Sequence, residues 1–202
     1  MGQFYERLSG GPSADYRTAF WADVEIRTKL LCEFLSQHEE IKSVLDFGCA
    51  HGGYVRQISN TTPALSVLGV DVSPSLIRCA EELKMARMPD GSPAFLYPNN
   101  VSFLVGDEDT PIDRQFDCVV CCEVIEHQPD IESFITKIER HCKPGWWMLF
   151  TVPTGHRERD EFVIGGVPPV HLHMFDQHDM MELFGHRKDF QLHSFSDLKE
   201  LE

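Results

Sequence analysis

The sequence predicts an α/β fold: a doubly wound, mostly parallel sheet with helices on both faces. Two observations predict it. Short apolar runs that read as buried strands alternate with stretches whose apolar residues recur at helical spacing. The runs end in Gly or Asp, and in such sheets ligands lie outside the carboxyl ends of the strands. At 202 residues, 42% apolar and 25% charged, the chain is sized for one globular domain with a core.

The elements follow in order. After a polar, Gly/Ser-rich opening through Ser13, residues Phe20, Trp21, Val24, Leu30, Leu31, Phe34 and Leu35 recur at helical spacing. Val44-Leu-Asp-Phe47, closed by glycines, reads as the first strand, and Tyr54, Val55 and Ile58 as the apolar face of a helix. Val67 to Val70, closed by Asp71, is the second strand. Ser73 then caps a helix that has Pro74 at its first position and Leu76, Ile77, Ala80 and Leu83 inward. Residues 88–99, with three prolines and Gly91, read as a surface loop.

Val101 to Val105 and Phe116 to Cys122 are the third and fourth strands. Ile131, Phe134, Ile135, Ile138 and Cys142 form the stripe of a helix that Lys143-Pro-Gly145 ends, and Trp146 to Val152 is the fifth strand. A long loop runs to about Phe175. Asp176 caps a helix through Met180, Leu183 and Phe184, and Gln191 to Ser196 is a sixth strand. We expect one domain over 1–202: a helical lid (1–40), a cofactor-binding core (41–155) and an acceptor-side loop, helix and strand (156–202). No seventh strand is apparent after residue 196, as expected for a segment of a longer chain with a neighbouring domain.

Charge and cysteines bound the function. A net charge of −14 argues against an extended nucleic-acid partner, which is held by neutralising phosphates. It leaves room for a small acceptor. Seven scattered cysteines, an odd number, read as reduced thiols in a cytoplasmic setting. Cys118 and Cys121 have zinc-knuckle spacing, but no second pair lies nearby and the run reads as a strand. The N-terminus has no apolar signal region, and no apolar run reaches the roughly 20 residues that span a bilayer. No membrane role is expected.

The chemistry begins at Asp46-Phe-Gly48-Cys49-Ala50-His-Gly52-Gly53, a glycine-rich turn from strand to helix. Glycine serves there because the chain turns tightly and a ligand must approach the backbone. A dinucleotide-binding turn looks much the same, so a nicotinamide oxidoreductase is one reading of this segment alone. Asp71 ends the second strand 25 positions after Asp46, where a carboxylate can accept from ribose hydroxyls. Asp107 and Glu108 end the third strand, where an acid or a backbone N–H can contact an adenine.

Taken in order, Val44-Leu-Asp-Phe-Gly-Cys-Ala-His-Gly52, Gly69-Val-Asp-Val-Ser73, Gly106-Asp107, Phe116-Asp117 and Lys143-Pro-Gly145 resemble the successive motifs of class I S-adenosylmethionine-dependent methyltransferases. The resemblance covers roughly residues 40–155, with Ala50 standing where the family usually has a third Gly. It implies a Rossmann-like fold, an enzyme and S-adenosyl-L-methionine as cofactor. It implies cofactor contacts from Asp46, Gly48, Cys49, Ala50, Gly52, Asp71, Val72, Asp107, Glu108 and Glu123, with Tyr5 and Tyr16 as caps.

A hydroxyl acceptor benefits from a base or a metal ion. Glu123-Val-Ile-Glu126-His127 follows the fourth strand and offers both, and a helical turn there would put its carboxylates and imidazole on one face. Such ligands suit Mg²⁺ or Mn²⁺, and His171 or His173 could add a fourth. This segment resembles the ubiquinone-biosynthesis O-methyltransferases, and its Glu-x-x-Glu-His also resembles the enzymes that 2′-O-methylate the 3′ ends of small RNAs.

The expected catalytic residues are His127, Glu123 and His173, and the expected metal set is Glu123, Glu126, His127 and His173. The expected function is O-methylation of a small-molecule or sugar (glycan) hydroxyl. Small-RNA 2′-O-methylation and a non-catalytic cofactor-binding subunit are the alternatives.

Overall fold

The structure is a computed structural model that describes residues 27–61, 66–94, 97, 100–153 and 171–186. Tyr5, Tyr16, the loop through Pro168-Pro169 and the strand expected at Gln191–Ser196 lie outside the described residues. Two compact units emerge. Among the described residues, the first holds everything through Cys122 together with Glu132–Phe150, and the second holds Glu123–Ile131 and the residues from Thr151 on.

In the first unit, strands β1 (Ser43–Phe47), β2 (Ser66–Asp71), β3 (Val101–Val105), β4 (Phe116–Cys122) and β5 (Cys142–Thr151) form one sheet in the order β3-β2-β1-β4-β5. β1 pairs in parallel with β2 and with β4, and β2 in parallel with β3. The apolar runs explain the centre: all seven residues of β4 and four of five in β1 are buried, as expected of strands covered on both faces. The chain steps outward from β1 through β2 to β3 and then returns to β4. The order therefore reverses between β1 and β4, and the crevice of such sheets opens at the carboxyl ends beside that point.

Helix α1 (27–37) places Leu31 and Leu35 in the core with Val44, Val55, Val67, Val101 and Val120. Helix α2 (Gly53–Thr61) buries Tyr54, Val55 and Ile58, and α3 (Pro74–Met85) buries Ile77 and Ala80. The Ser73 hydroxyl accepts from the Leu76 N–H at 3.3 Å, and Pro74 takes the first turn, where no N–H is needed. Cys118 and Cys121 are buried on β4 three positions apart, so the pleat sends them to opposite faces and they cannot share a metal.

One boundary differs from expectation. Helix α4 (Ile131–Glu139) stops short of Cys142, and β5 begins there rather than at Trp146. The Phe116 N–H donates to the His141 carbonyl at 2.8 Å, so pairing with β4 starts before Pro144-Gly145. Pro144 sits near the start of a flanking strand, where a missing donor is tolerated. Lys143 is held in place by a 2.6 Å ion pair with Asp117.

The second unit contains a 3₁₀ turn, Ile125–His127, and helix α5 (Gln177–Phe184). Asp176 and Asp179 cap α5 reciprocally, each side chain accepting the other's backbone N–H, at 2.9 and 2.8 Å. Helix α5 buries Met180 and Phe184, and Phe175 is buried just before it. Among the described residues no helix is long and apolar enough to cross a membrane.

Candidate active site

In the first unit the glycine turn is shaped by φ values that L side chains rarely adopt: 82° at Gly48, 49° at Ala50 and 80° at Gly52. Ala50 bears part of that strain as a non-glycine residue. The Gly48 and Cys49 N–H groups both donate to the Val70 carbonyl, at 2.8 and 3.0 Å, which draws the turn across the end of β2. The Asp71 carboxylate fixes it there, one oxygen accepting the Ala50 N–H at 2.8 Å and the other the Ser73 N–H at 2.9 Å. Asp71 is thus first a backbone clamp, and the remaining lone pairs of its oxygens are what a ribose could use.

Glycine is also required by close packing. A Cβ on Gly52 would lie 2.7 Å from ring carbons of Phe103, and one on Gly69 would lie 2.8 Å from both the Cys49 sulfur and the Phe103 ring. Phe103, on β3, fills the hollow under the turn and was not singled out by the sequence, since a strand phenylalanine reads as ordinary core.

Asp46 ends inside this arrangement. It is 1% exposed, and its Oδ2 has no hydrogen-bond partner among the described residues. Burial, reinforced by the neighbouring Asp71 charge, raises its carboxyl to about 7. An orphaned buried acid beside the Asp71 carboxylate fits a ligand with cationic and hydroxyl groups, as S-adenosyl-L-methionine has.

Asp107 and Glu108 follow β3, and each has protein partners of its own. Asp107 builds its own turn: its Oδ1 accepts from the Thr110 hydroxyl at 2.9 Å and the Asp109 N–H at 3.1 Å. The Thr110 hydroxyl is the main reason its carboxyl is held below the usual range. Glu108 pairs with Lys137 of α4 at 3.6 Å, and its carbonyl accepts from Arg140. Surface salt bridges of this kind hold side chains only weakly. Val72, directly after Asp71, is 36% exposed.

In the second unit, Glu123 leaves β4 with φ 55°, so it does not join the helical turn expected for Glu123 to His127. Its N–H donates to the Thr151 carbonyl at 3.0 Å, and its Oε1 accepts the Thr151 hydroxyl at 2.9 Å. Glu126 is fully buried, and the segment from His171 docks on it. The Glu126 carbonyl accepts the N–H groups of Leu172 and His173, at 2.8 and 3.1 Å.

This docking brings three side chains together. One ligand atom each from Glu126, His127 and His171 lies within 4.8 Å of the others. The rings of His127 and His171 stand 4.7 Å apart, edge to face. His127 Nε2 is 3.8 Å from Glu126 Oε1, longer than a direct hydrogen bond. One carboxylate and two imidazoles fit a divalent first-row ion.

Of the expected set, this cluster contains Glu126 and His127. Glu123 is engaged with Thr151, and the His173 ring with the Gln128 carbonyl at 2.7 Å, so neither belongs to this cluster, while His171 does. The reason is local: in an extended segment residues 171 and 173 can share a side, and the hydrogen bond to Gln128 takes His173 away.

A family model described as a methyltransferase domain matches residues 17–195. A ubiquinone biosynthesis O-methyltransferase of Chromobacterium violaceum is 30% identical over 124 residues, which are 60% of this chain and 50% of that protein. A probable chloroplastic tocopherol O-methyltransferase of Oryza sativa subsp. japonica is 31% identical over 144 residues, 70% of this chain and 37% of that protein. The chain thus spans about half the length, or less, of these curated relatives. In fold it is similar to the magnesium protoporphyrin IX methyltransferase of Synechocystis PCC 6803 with bound SAH. That likeness has a TM-score of 0.63 at 14% identity and covers 90% of this chain and 81% of the other.

Proposed function

The chain belongs to the methyltransferase-domain family, with the class I S-adenosylmethionine-dependent fold, and from that membership we propose that it methylates a hydroxyl oxygen of a small molecule or sugar with the help of a divalent cation. The observation that carries the proposal is the Glu126–His127–His171 cluster. The curated relatives support an oxygen acceptor, since both are named O-methyltransferases. A net charge of −14 favours a small acceptor over RNA.

S-adenosyl-L-methionine supplies an electrophilic methyl group on a sulfonium. This chain's residues have two tasks, alignment and proton removal. Alignment of donor and acceptor is the larger, worth about 7–11 kcal/mol in favourable cases. Asp71 holds the ribose, and the turn that begins at Gly48 receives the methionine end of the cofactor. As the O–CH3 bond forms and the S–CH3 bond breaks, the hydroxyl proton must leave, and His127 accepts it. Glu126, His127 and His171 would hold a divalent ion, which would supply Lewis acidity and orientation to the hydroxyl; with the ion bound His127 would serve as a ligand, and the acidified proton would leave to solvent water. Either route suits an acceptor with neighbouring hydroxyls.

Calorimetric titration of S-adenosylhomocysteine and a panel of vicinal diols, with and without Mn²⁺, tests the reading. It requires diol binding that tightens with Mn²⁺ and weakens in Glu126→Ala. If diols bind equally with and without the ion, the metal is excluded and His127 stands as the sole base.

A further inference from the structure

We propose that Asp46 carries a proton in the free protein and surrenders it when the ammonium of the cofactor's methionine end binds beside it, so that it serves as the counter-charge of that ammonium. The inference rests on the cofactor reading above and concerns a residue the methyl-transfer step does not use.

The geometry leaves Asp46 poorly placed as a bare anion. It stands at the carboxyl side of β1, opposite Gly69 of β2 and Val120 of β4, so its strand neighbours supply no charge. Its Oδ2 is buried without a hydrogen-bond donor among the described residues. The titratable groups that act on it or feel its charge are the Asp71 carboxylate from β2 and the buried Cys49 thiol from the turn, itself pushed well up by burial. No described Lys or Arg is among the charges that act on the Asp46 carboxylate.

An isolated buried anion beside a second anion takes up a proton unless a cation arrives. The backbone N–H groups of Ala50 and Ser73 ease this for Asp71 but not for Asp46. Burial and the Asp71 charge raise the free Asp46 carboxyl to about 7.

The sign follows by linkage. An ammonium brought close favours the ionised carboxylate and lowers its pKa, so binding releases a proton. Affinity then rises with pH, by up to about tenfold per pH unit below 7, and levels off above it.

Titration of S-adenosylhomocysteine, which bears the ammonium, is measured in buffers of differing ionisation enthalpy. At about pH 7 the expectation is release of about half a proton per site, falling toward zero by about pH 9. Asp46→Asn should bind with an affinity flat across this range. A second measurement needs no variant: the infrared carbonyl band of a buried carboxylic acid, present below pH 7, should vanish on adding the ligand. Binding without proton release, or an acid band unchanged on binding, overturns the proposal and leaves the cofactor reading intact. No binding at any pH overturns that reading, and the proposal with it.

Discussion

The Thr151 hydroxyl donates to Glu123 Oε1 at 2.9 Å, and the same two residues are joined through their backbones at 3.0 Å. Together the two bonds hold Glu123 at φ 55°, a conformation that costs a non-glycine residue about 1–2 kcal/mol. Strain of this kind persists where the surroundings over-determine it, often at functional positions.

Thr151 and Glu123 therefore respond differently to substitution. Thr151→Val loses the hydroxyl bond and should lower unfolding stability by about 1 kcal/mol, while Thr151→Ser should stay within about 0.5. Glu123→Gly loses the same bond but relieves the backbone, so the terms offset to within about 1 kcal/mol. Urea unfolding checks this, and a loss above 3 kcal/mol in Glu123→Gly would show that φ is not strained there.

The second prediction concerns Asp117, whose carboxylate accepts the N–H groups of Lys42 and Ser43 at 2.8 and 2.9 Å and the Lys143 ammonium at 2.6 Å. Burial pushes this carboxyl up, but the Lys143 ammonium and the N–H donors outweigh it and hold the group below its usual range. A carboxyl depressed by folding contributes stability that is complete above its unfolded value, near 3.9, and lost as pH falls through its folded value. Asp117→Ala leaves the part-buried N–H groups of Lys42 and Ser43 without their acceptor and should cost about 2 kcal/mol near neutral pH, with the deficit shrinking in acid. Thermal unfolding across that range decides it, and a deficit that grows on acidification would contradict the assignment.

Much of the fold was legible because its signals are local. Ser73-Pro74 and Asp176 mark helix starts through their own side chains, and β1 and β4 announce burial by apolar runs that a single Asp interrupts in each. The glycine turn and Asp71 were legible for the same reason. What escaped was long-range. The start of β5 depends on a bond between Phe116 and His141, and the partner of Glu123 lies 28 residues away. The choice of His171 over His173 depends on which carbonyls the segment meets, Glu126 by backbone and Gln128 by ring. Spacing alone carries none of this.

That choice yields the third prediction. Mn²⁺ affinity, followed by calorimetry or electron paramagnetic resonance, should fall about a hundredfold in His171→Ala and less than about tenfold in His173→Ala, since only His171 offers a ligand atom to the cluster. Equal losses would restore the original pairing of His127 with His173.

The last prediction tests the hollow beneath the turn. Gly52 has φ 80° and would place a Cβ 2.7 Å from the Phe103 ring, so Gly52→Ala combines backbone strain with overlap. We expect a loss of about 2–4 kcal/mol. Gly69 lies outside the left-handed region, yet a Cβ there would meet Cys49, Phe103 and Val55 between 2.8 and 2.9 Å. The cost of Gly69→Ala is therefore packing alone. A double-mutant cycle separates the two causes. Phe103→Leu removes the ring, so it should recover much of the Gly69→Ala loss and only the overlap part of the Gly52→Ala loss. A cycle in which Phe103→Leu rescues neither would mean that the ring yields freely, and that Gly52 is required by its backbone conformation rather than by Phe103.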